Sequence, residues 1–182
     1  MAKDRERITS TLSFRAISNS SFIRQSIAER GYTLPKHQAD IQKLVRDYYY
    51  EIKSHICDEI NVLKTSNTKF SITTDEWTST RNRRYMNINL HYSDGKFCNL
   101  GLARIDGACP SEKAVEMVKI RLRDFALSFS DIVSCTSDGA AVMVKFGKLI
   151  PSYHQLCCNH GVHLAILDVL YKKPVEYLPQ ID

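Results

Sequence analysis

Two aspartates draw attention first, because each closes a β-rich run of residues. Lys69-Phe70-Ser71-Ile72-Thr73-Thr74-Asp75 ends in one, and Asp131-Ile132-Val133-Ser134-Cys135-Thr136-Ser137-Asp138 ends in the other. If the two strands are neighbours, both carboxylates emerge at one edge of a sheet. Mg²⁺ takes hard oxygen ligands and keeps several waters, so two carboxylates plus phosphate oxygens are enough to hold it. In two-metal phosphodiester chemistry the ions sit about 3.5–4 Å apart and act on the attacking and leaving oxygens. A plainer role competes, since aspartate often caps the turn or helix that follows it. Glu76 is a poor third acid, because adjacent side chains of an extended strand point to opposite faces.

Other groups carry weaker signals. Cys157, Cys158, His160 and His163, with His154 just before them, are zinc-type donors. Zinc wants four tetrahedral ligands and no second clustered pair is present, so a structural zinc is not expected, and a packed, hydrogen-bonded Cys and His shaping the acidic site is the preferred reading. A Cys–His nucleophilic dyad lacks an orienting third residue. Trp77 could stack on a splayed base, but is expected to fill the core under the sheet edge. Arg81, Arg83 and Arg84 form the densest basic cluster, suited either to contact with DNA phosphates or to a solvated hairpin entry.

The elements that must position these residues follow from periodicity. Residues 1–34 are expected to be loosely ordered, with a short helix from about Ser20 to Arg30 stopped by Gly31. After Leu34-Pro35, residues 35–66 read as a helical region: Ile41, Leu44, Val45, Tyr48, Ile52, Ile56, Ile60 and Leu63 recur at helical spacing. From residue 67 the period changes. A first strand ends at Asp75; a second, from Arg84 to Ser93, alternates Met86, Ile88, Leu90 and Tyr92; Asp94-Gly95 predicts a tight hairpin into a third, from Phe97 to Ile105. A helix opening at Ser111 supplies the crossover that a parallel strand needs, and Asp131–Asp138 reads as that strand, nearly all buried. A short helix, a brief strand near Tyr153–Cys158 and a helix over Asn159–Tyr171 follow. The expected fold class is α/β, an RNase H-like mixed sheet of three antiparallel strands and then parallel ones, with flanking helices, incomplete at the C-terminus and preceded by a long helix. The partial core is assigned to residues 67–182.

Composition sets wide bounds. A 182-residue chain with 43% hydrophobic residues can bury a core of ordinary size, and a net charge of +5 permits but does not demand a polyanionic partner. Six cysteines sit in apolar periodic segments with no export signal beside them, so reduced thiols are expected. The first ten residues lack an apolar run and no stretch approaches about 20 apolar residues, so neither a signal peptide nor a membrane span is expected.

Three ordered blocks sharpen the reading: Thr73-Thr74-Asp75-Glu76-Trp77-Thr78-Ser79, then Thr136-Ser137-Asp138-Gly139-Ala140-Ala141-Val142-Met143, then Cys157-Cys158-Asn159-His160-Gly161-Val162-His163-Leu164. Together with the Gly107-Ala108-Cys109-Pro110-Ser111-Glu112 helix start, they resemble the catalytic core of hAT (hobo/Activator type) transposases, including domesticated relatives that carry a BED zinc finger. The resemblance runs from about Phe70 to Lys173. It implies that Asp75 and Asp138 are two of three acidic residues of a DDE site holding Mg²⁺ or Mn²⁺, with Cys157 and His160 supporting it. It also implies DNA as partner, DNA recombination by a transposable element as activity, nuclear residence, and homo-oligomers formed through regions absent here. The third acid, which in the family follows a large helical insertion, is not reached by Asp182, and no BED finger is legible upstream. The chain is therefore expected to be a transposase-derived DNA-processing domain, inactive in cleavage and strand transfer as it stands. The alternatives are a domesticated, non-catalytic DNA-binding or protein-interaction module, and a fragment of a decayed element.

Overall fold

The computed structural model describes residues 13–171. They divide into two units, Met1–Ile56 and Cys57–Asp182, and the division falls inside a long helix.

In the first unit, two short helices, α1 (Phe14–Asn19) and α2 (Ser21–Glu29), lie within the segment expected to be loosely ordered. Local capping accounts for them: Ser13 Oγ accepts from the Ala16 N–H and Ser20 Oγ from the Ile23 N–H. The Arg24 guanidinium then donates to the carbonyls of Ser18, Leu34 and Pro35, tying α2 to the segment that leads into α3 (Gln38–Thr65).

The second unit begins with the last turns of α3, where Ile60 is fully buried. It continues with β1 (Phe70–Thr78), β2 (Arg84–His91), β3 (Phe97–Ile105), α4 (Ser111–Arg123), a 3₁₀ turn (Phe129–Asp131), β4 (Ile132–Ser137), α5 (Ala141–Leu149), β5 (Tyr153–Leu156) and α6 (Cys158–Tyr171). The five strands form one mixed sheet in the order β3-β2-β1-β4-β5. β1, β2 and β3 pair antiparallel, while β4 pairs parallel with both β1 and β5.

Local chemistry explains the turns. Gly95 takes φ of 84° between β2 and β3, a conformation costly for residues with a Cβ, and Asp94 Oδ1 accepts from the Lys96 N–H at 3.0 Å. After α4, Leu127 N–H donates back to the Leu122 carbonyl, with Ala126 left-handed at φ 58°, and the chain turns toward β4.

One face of the sheet is apolar. Phe70, Ile72, Met86, Ile88, Leu90 and Cys135 are buried on it, with Val118 and Leu122 of α4 and Phe146 of α5 completing the core. The opposite face is polar: Thr73, Asn87, Asn89 and His91 are half-buried and Asp75 and Asn99 exposed. β4 was expected to be buried almost throughout, yet Val133 is 51% exposed and Ser134 and Thr136 are half-buried. The cause is that described helices cover one face only, and that the β1–β4 ladder has a bulge: Phe70 pairs with Ile132 but Ser71 with Ser134, leaving Val133 as an extra residue. No helix among the described residues is long and apolar enough to cross a membrane.

Candidate acidic site at the edge of the sheet

β1 occupies the centre of the sheet, and its residues alternate Phe70, Ile72 and Thr74 inward against Ser71, Thr73 and Asp75 outward. The β1–β4 register runs through Ile72 with Cys135 and Thr73 with Thr136. Asp75 and Asp138 each lie two residues beyond that last pair, on adjacent strands that run in the same direction. Neighbouring strands are about 4.8 Å apart, so both residues arrive at the same edge of the sheet.

The two differ in setting. Asp138 is half-buried just after β4, and its Oδ1 accepts from the Ala140 N–H at 3.1 Å. This is the capping-type bond of the plainer reading. Asp75 does not end its strand as expected: β1 runs three residues further, to Thr78, because Glu76, Trp77 and Thr78 pair with Met86, Tyr85 and Arg84. Asp75 is exposed and sits opposite Asn87 in the register, and its carboxylate makes no hydrogen bond or ion pair among the described residues. A carboxylate without a protein partner beside a second one with an uncommitted oxygen offers hard oxygen donors, the chemistry that Mg²⁺ and Mn²⁺ require. No three His, Cys, Asp or Glu side chains among the described residues gather as a metal-ligand set.

The polar face beside Asp75 carries residues that motif reasoning passed over. Asn99 Nδ2 donates to Asn87 Oδ1 at 2.6 Å and to Asn89 Oδ1 at 2.8 Å; Asn89 Nδ2 donates to Thr73 Oγ1 at 3.3 Å, and Thr73 Oγ1 lies 3.0 Å from His91 Nε2. This row of amides fixes side chains across three strands and ends beside Asp75. The signal was available in the outward positions of β2, which read Tyr85, Asn87, Asn89 and His91 while the inward ones are apolar.

Trp77 does not fill the core. It is 41% exposed and stacks on Tyr85, with ring centroids 5.1 Å apart and planes inclined by 29°. Of the three arginines, Arg84 is committed: its Nε donates to Glu76 Oε1 at 2.7 Å and its Nη1 to the Gly107 carbonyl at 3.2 Å. That pair also gives Glu76 a structural task, on the opposite side of β1 from Asp75. The side chains of Arg81 and Arg83 project from the turn between β1 and β2, exposed and without a partner among the described residues.

Cys157 and His160 flank the start of α6. The Cys157 N–H donates to the Ser137 carbonyl at 2.7 Å, which ties this segment to the residue preceding Asp138, and the Cys157 carbonyl accepts from Gly161. His160 is half-buried and has no bonded partner among the described residues. The six cysteines are all free thiols; burial pushes Cys135 up to about 12, despite an opposing effect of the Thr74 hydroxyl.

Behind the site, His154 of β5 reaches Ser137 Oγ at 2.9 Å. Its ring lies against Gly147 of α5, where an added Cβ would collide with the imidazole. Gly147→Ala is expected to cost about 1–3 kcal/mol by overpacking. Urea unfolding checks this, and a midpoint equal to wild type would refute the close approach.

No family profile matches the chain. It is 25% identical to an AC transposase of Zea mays over a 178-residue alignment that takes in 86% of this chain and 21% of the relative. An AC9 transposase of the same plant is also 25% identical over 178 residues, with 86% of this chain and 20% of the relative covered. The chain thus spans about a fifth of the length of these relatives. An α/β chain with a five-stranded mixed sheet, similar over most of its length to two transposases, is supported as a relative of transposases.

Proposed function

We propose that this chain is a transposase-derived DNA-processing domain of the hAT type with an RNase H-like core, and that Asp75 and Asp138 are its acidic pair. The observation that carries the reading is the parallel pairing of β1 with β4, which brings the two aspartates of separate sequence blocks to the same sheet edge, in a chain similar to transposases. Asp75 and Asp138 would hold Mg²⁺ or Mn²⁺, which when bound supplies electrostatic polarisation of a DNA phosphodiester. The chain's own part is positional: β1 and β4 set the spacing, the asparagine row stiffens the β2 side, and the Cys157 N–H on the Ser137 carbonyl backs the β4 side, with His160 half-buried one turn on. Arg81 and Arg83 are free to meet DNA phosphates beyond Trp77. Nuclear residence goes with the proposed DNA partner.

The direct test is a Mn²⁺ titration of the wild type and of the double variant Asp75→Ala/Asp138→Ala. The wild type is expected to show a site that the double variant lacks. Equal binding by both would falsify the assignment. A second reading, a non-catalytic DNA-binding or protein-interaction module, is favoured by the Asp138–Ala140 bond, which already gives Asp138 a structural role. DNA binding with steep salt dependence, unchanged in the double variant, would select it.

A further inference from the structure

We infer that His154 is a positioning residue for Asp138, acting through Ser137; this rests on the proposed role of Asp138. Ser137 is 1% exposed, so its hydroxyl must find its partners inside the protein. Two are present: the carbonyl of Asp138 at 3.2 Å and Nε2 of His154 at 2.9 Å. A serine hydroxyl has one proton. Directed to the Asp138 carbonyl, it leaves the oxygen to accept, and the donor is then the Nε2–H of His154. With the hydroxyl proton so placed, the imidazole is the Nε2–H tautomer and anchors the backbone of Asp138 from behind.

The ring cannot easily leave this pose. His154 is paired opposite Cys135 in the β4–β5 ladder, and Gly147 gives it the room that any side chain there would fill. The same stretch is held on its other side by the Cys157 N–H on the Ser137 carbonyl, and the Asp138 carboxylate by the Ala140 N–H. Asp138 is thus clamped at its carbonyl, its preceding residue and one carboxylate oxygen. Its second oxygen is left with a defined direction, which a cation site made from few protein ligands needs. His154 lies outside all three sequence blocks and makes no hydrogen bond or ion pair to an acidic side chain among the described residues. Its effect reaches the site only through Ser137.

The experiment compares the 182-residue chain with His154→Ala, His154→Gln and Ser137→Ala, using amide hydrogen exchange by NMR and Mn²⁺ titration. In His154→Ala, exchange at the Ala140 amide, which reports the Asp138 carboxylate directly, is expected to accelerate about fivefold or more, the weight of one buried hydrogen bond, while Ile88 in β2 keeps its protection. Mn²⁺ affinity is expected to fall about tenfold, the effect typical of losing an outer partner of a ligand. Glutamine retains a donor at the position of Nε2, so His154→Gln is expected to return both readouts to within about twofold of wild type. Ser137→Ala should match His154→Ala, and the double variant should add nothing further.

Wild-type exchange at Ala140 in His154→Ala, with wild-type Mn²⁺ affinity, would overturn the inference, as would failure of glutamine to rescue in a chain that still folds. If His154→Ala does not fold, Ser137→Ala carries the same comparison. If the wild type binds no Mn²⁺, or the Asp75 and Asp138 alanine variant binds it equally, the proposed function fails instead, and the exchange arm alone decides whether His154 holds Asp138.

Discussion

Replacing Phe70 with alanine is expected to remove about 3–5 kcal/mol of stability, the usual loss when a buried aromatic ring is truncated and its cavity cannot fully collapse. Phe70 is 1% exposed at the entry of the central strand. Its ring meets Tyr92 edge-on, with centroids 5.7 Å apart and planes at 83°, and its backbone begins the pairing with β4 at Ile132. A void here lies under both the hairpin and the parallel ladder. Since whole domains are stable by only about 5–15 kcal/mol, the variant should unfold at markedly lower urea or fail to accumulate. A midpoint shift equivalent to less than about 1 kcal/mol would mean that the site relaxes or that the ring is not packed as described.

The second large effect is expected at Asp131, which links the end of α3 to the start of β4. Its Oδ2 accepts from the Ser128 N–H at 2.9 Å, the Ser128 hydroxyl at 2.9 Å and Lys64 Nζ at 3.1 Å. Lys64 also donates to the Ala126 carbonyl at 2.8 Å, on the left-handed turn that ends the α4 region. Asp131→Ala removes three hydrogen bonds at once, leaving the part-buried Ser128 N–H without its acceptor and Lys64 with only the Ala126 carbonyl, and should cost about 2–3 kcal/mol. Burial alone would raise the Asp131 carboxyl, but the Ser128 bonds and the Lys64 charge outweigh it and hold the group below its ordinary value. A lowered value in the folded state means that the charged form stabilises the fold. That contribution is complete above the ordinary carboxylate value of about 3.9 and is lost as the pH falls through the folded value. The stability gap between wild type and Asp131→Ala should therefore be wide at about pH 7 and narrow at about pH 2. A gap that is constant across that range would show that the charge plays no part.

Much of this architecture can be read from residue pattern, and the reasons for the failures are physical. Asp94-Gly95 set the β2–β3 turn because the required backbone conformation is local, and the period of Met86, Ile88 and Leu90 marked the buried side because a strand alternates regardless of its neighbours. The crossover logic of the α4 segment allowed a parallel strand after it but left open whether β1 was its neighbour. What depends on partners across the sheet was not legible. The continuation of β1 past Asp75 rests on Arg84 binding Glu76 and Tyr85 stacking on Trp77, pairs joined only once the hairpin register is known. Exposure of Trp77 has the same origin: its odd position places it on the face that described helices leave open. The Ser137–His154 contact joins residues 17 apart and needs Gly147 to clear space, a condition that no motif encodes. Of the candidate site, the common edge of Asp75 and Asp138 could be anticipated on condition that their strands are neighbours, as the register shows they are. The amide row and the clamp behind Asp138 could not.

Val133 has a consequence for inheritance as well as for shape. A strand is a two-beat pattern, and the surplus residue shifts everything after it by half a cycle. Counted without that shift, the partner of Asp75 would be Ser137, and Asp138 would fall level with Glu76 on the other face of the sheet. Loss of the codon for Val133 would leave a regular ladder with Asp138 still level with Asp75, whereas loss of one codon between Ser134 and Ser137 would carry Asp138 out of step with it.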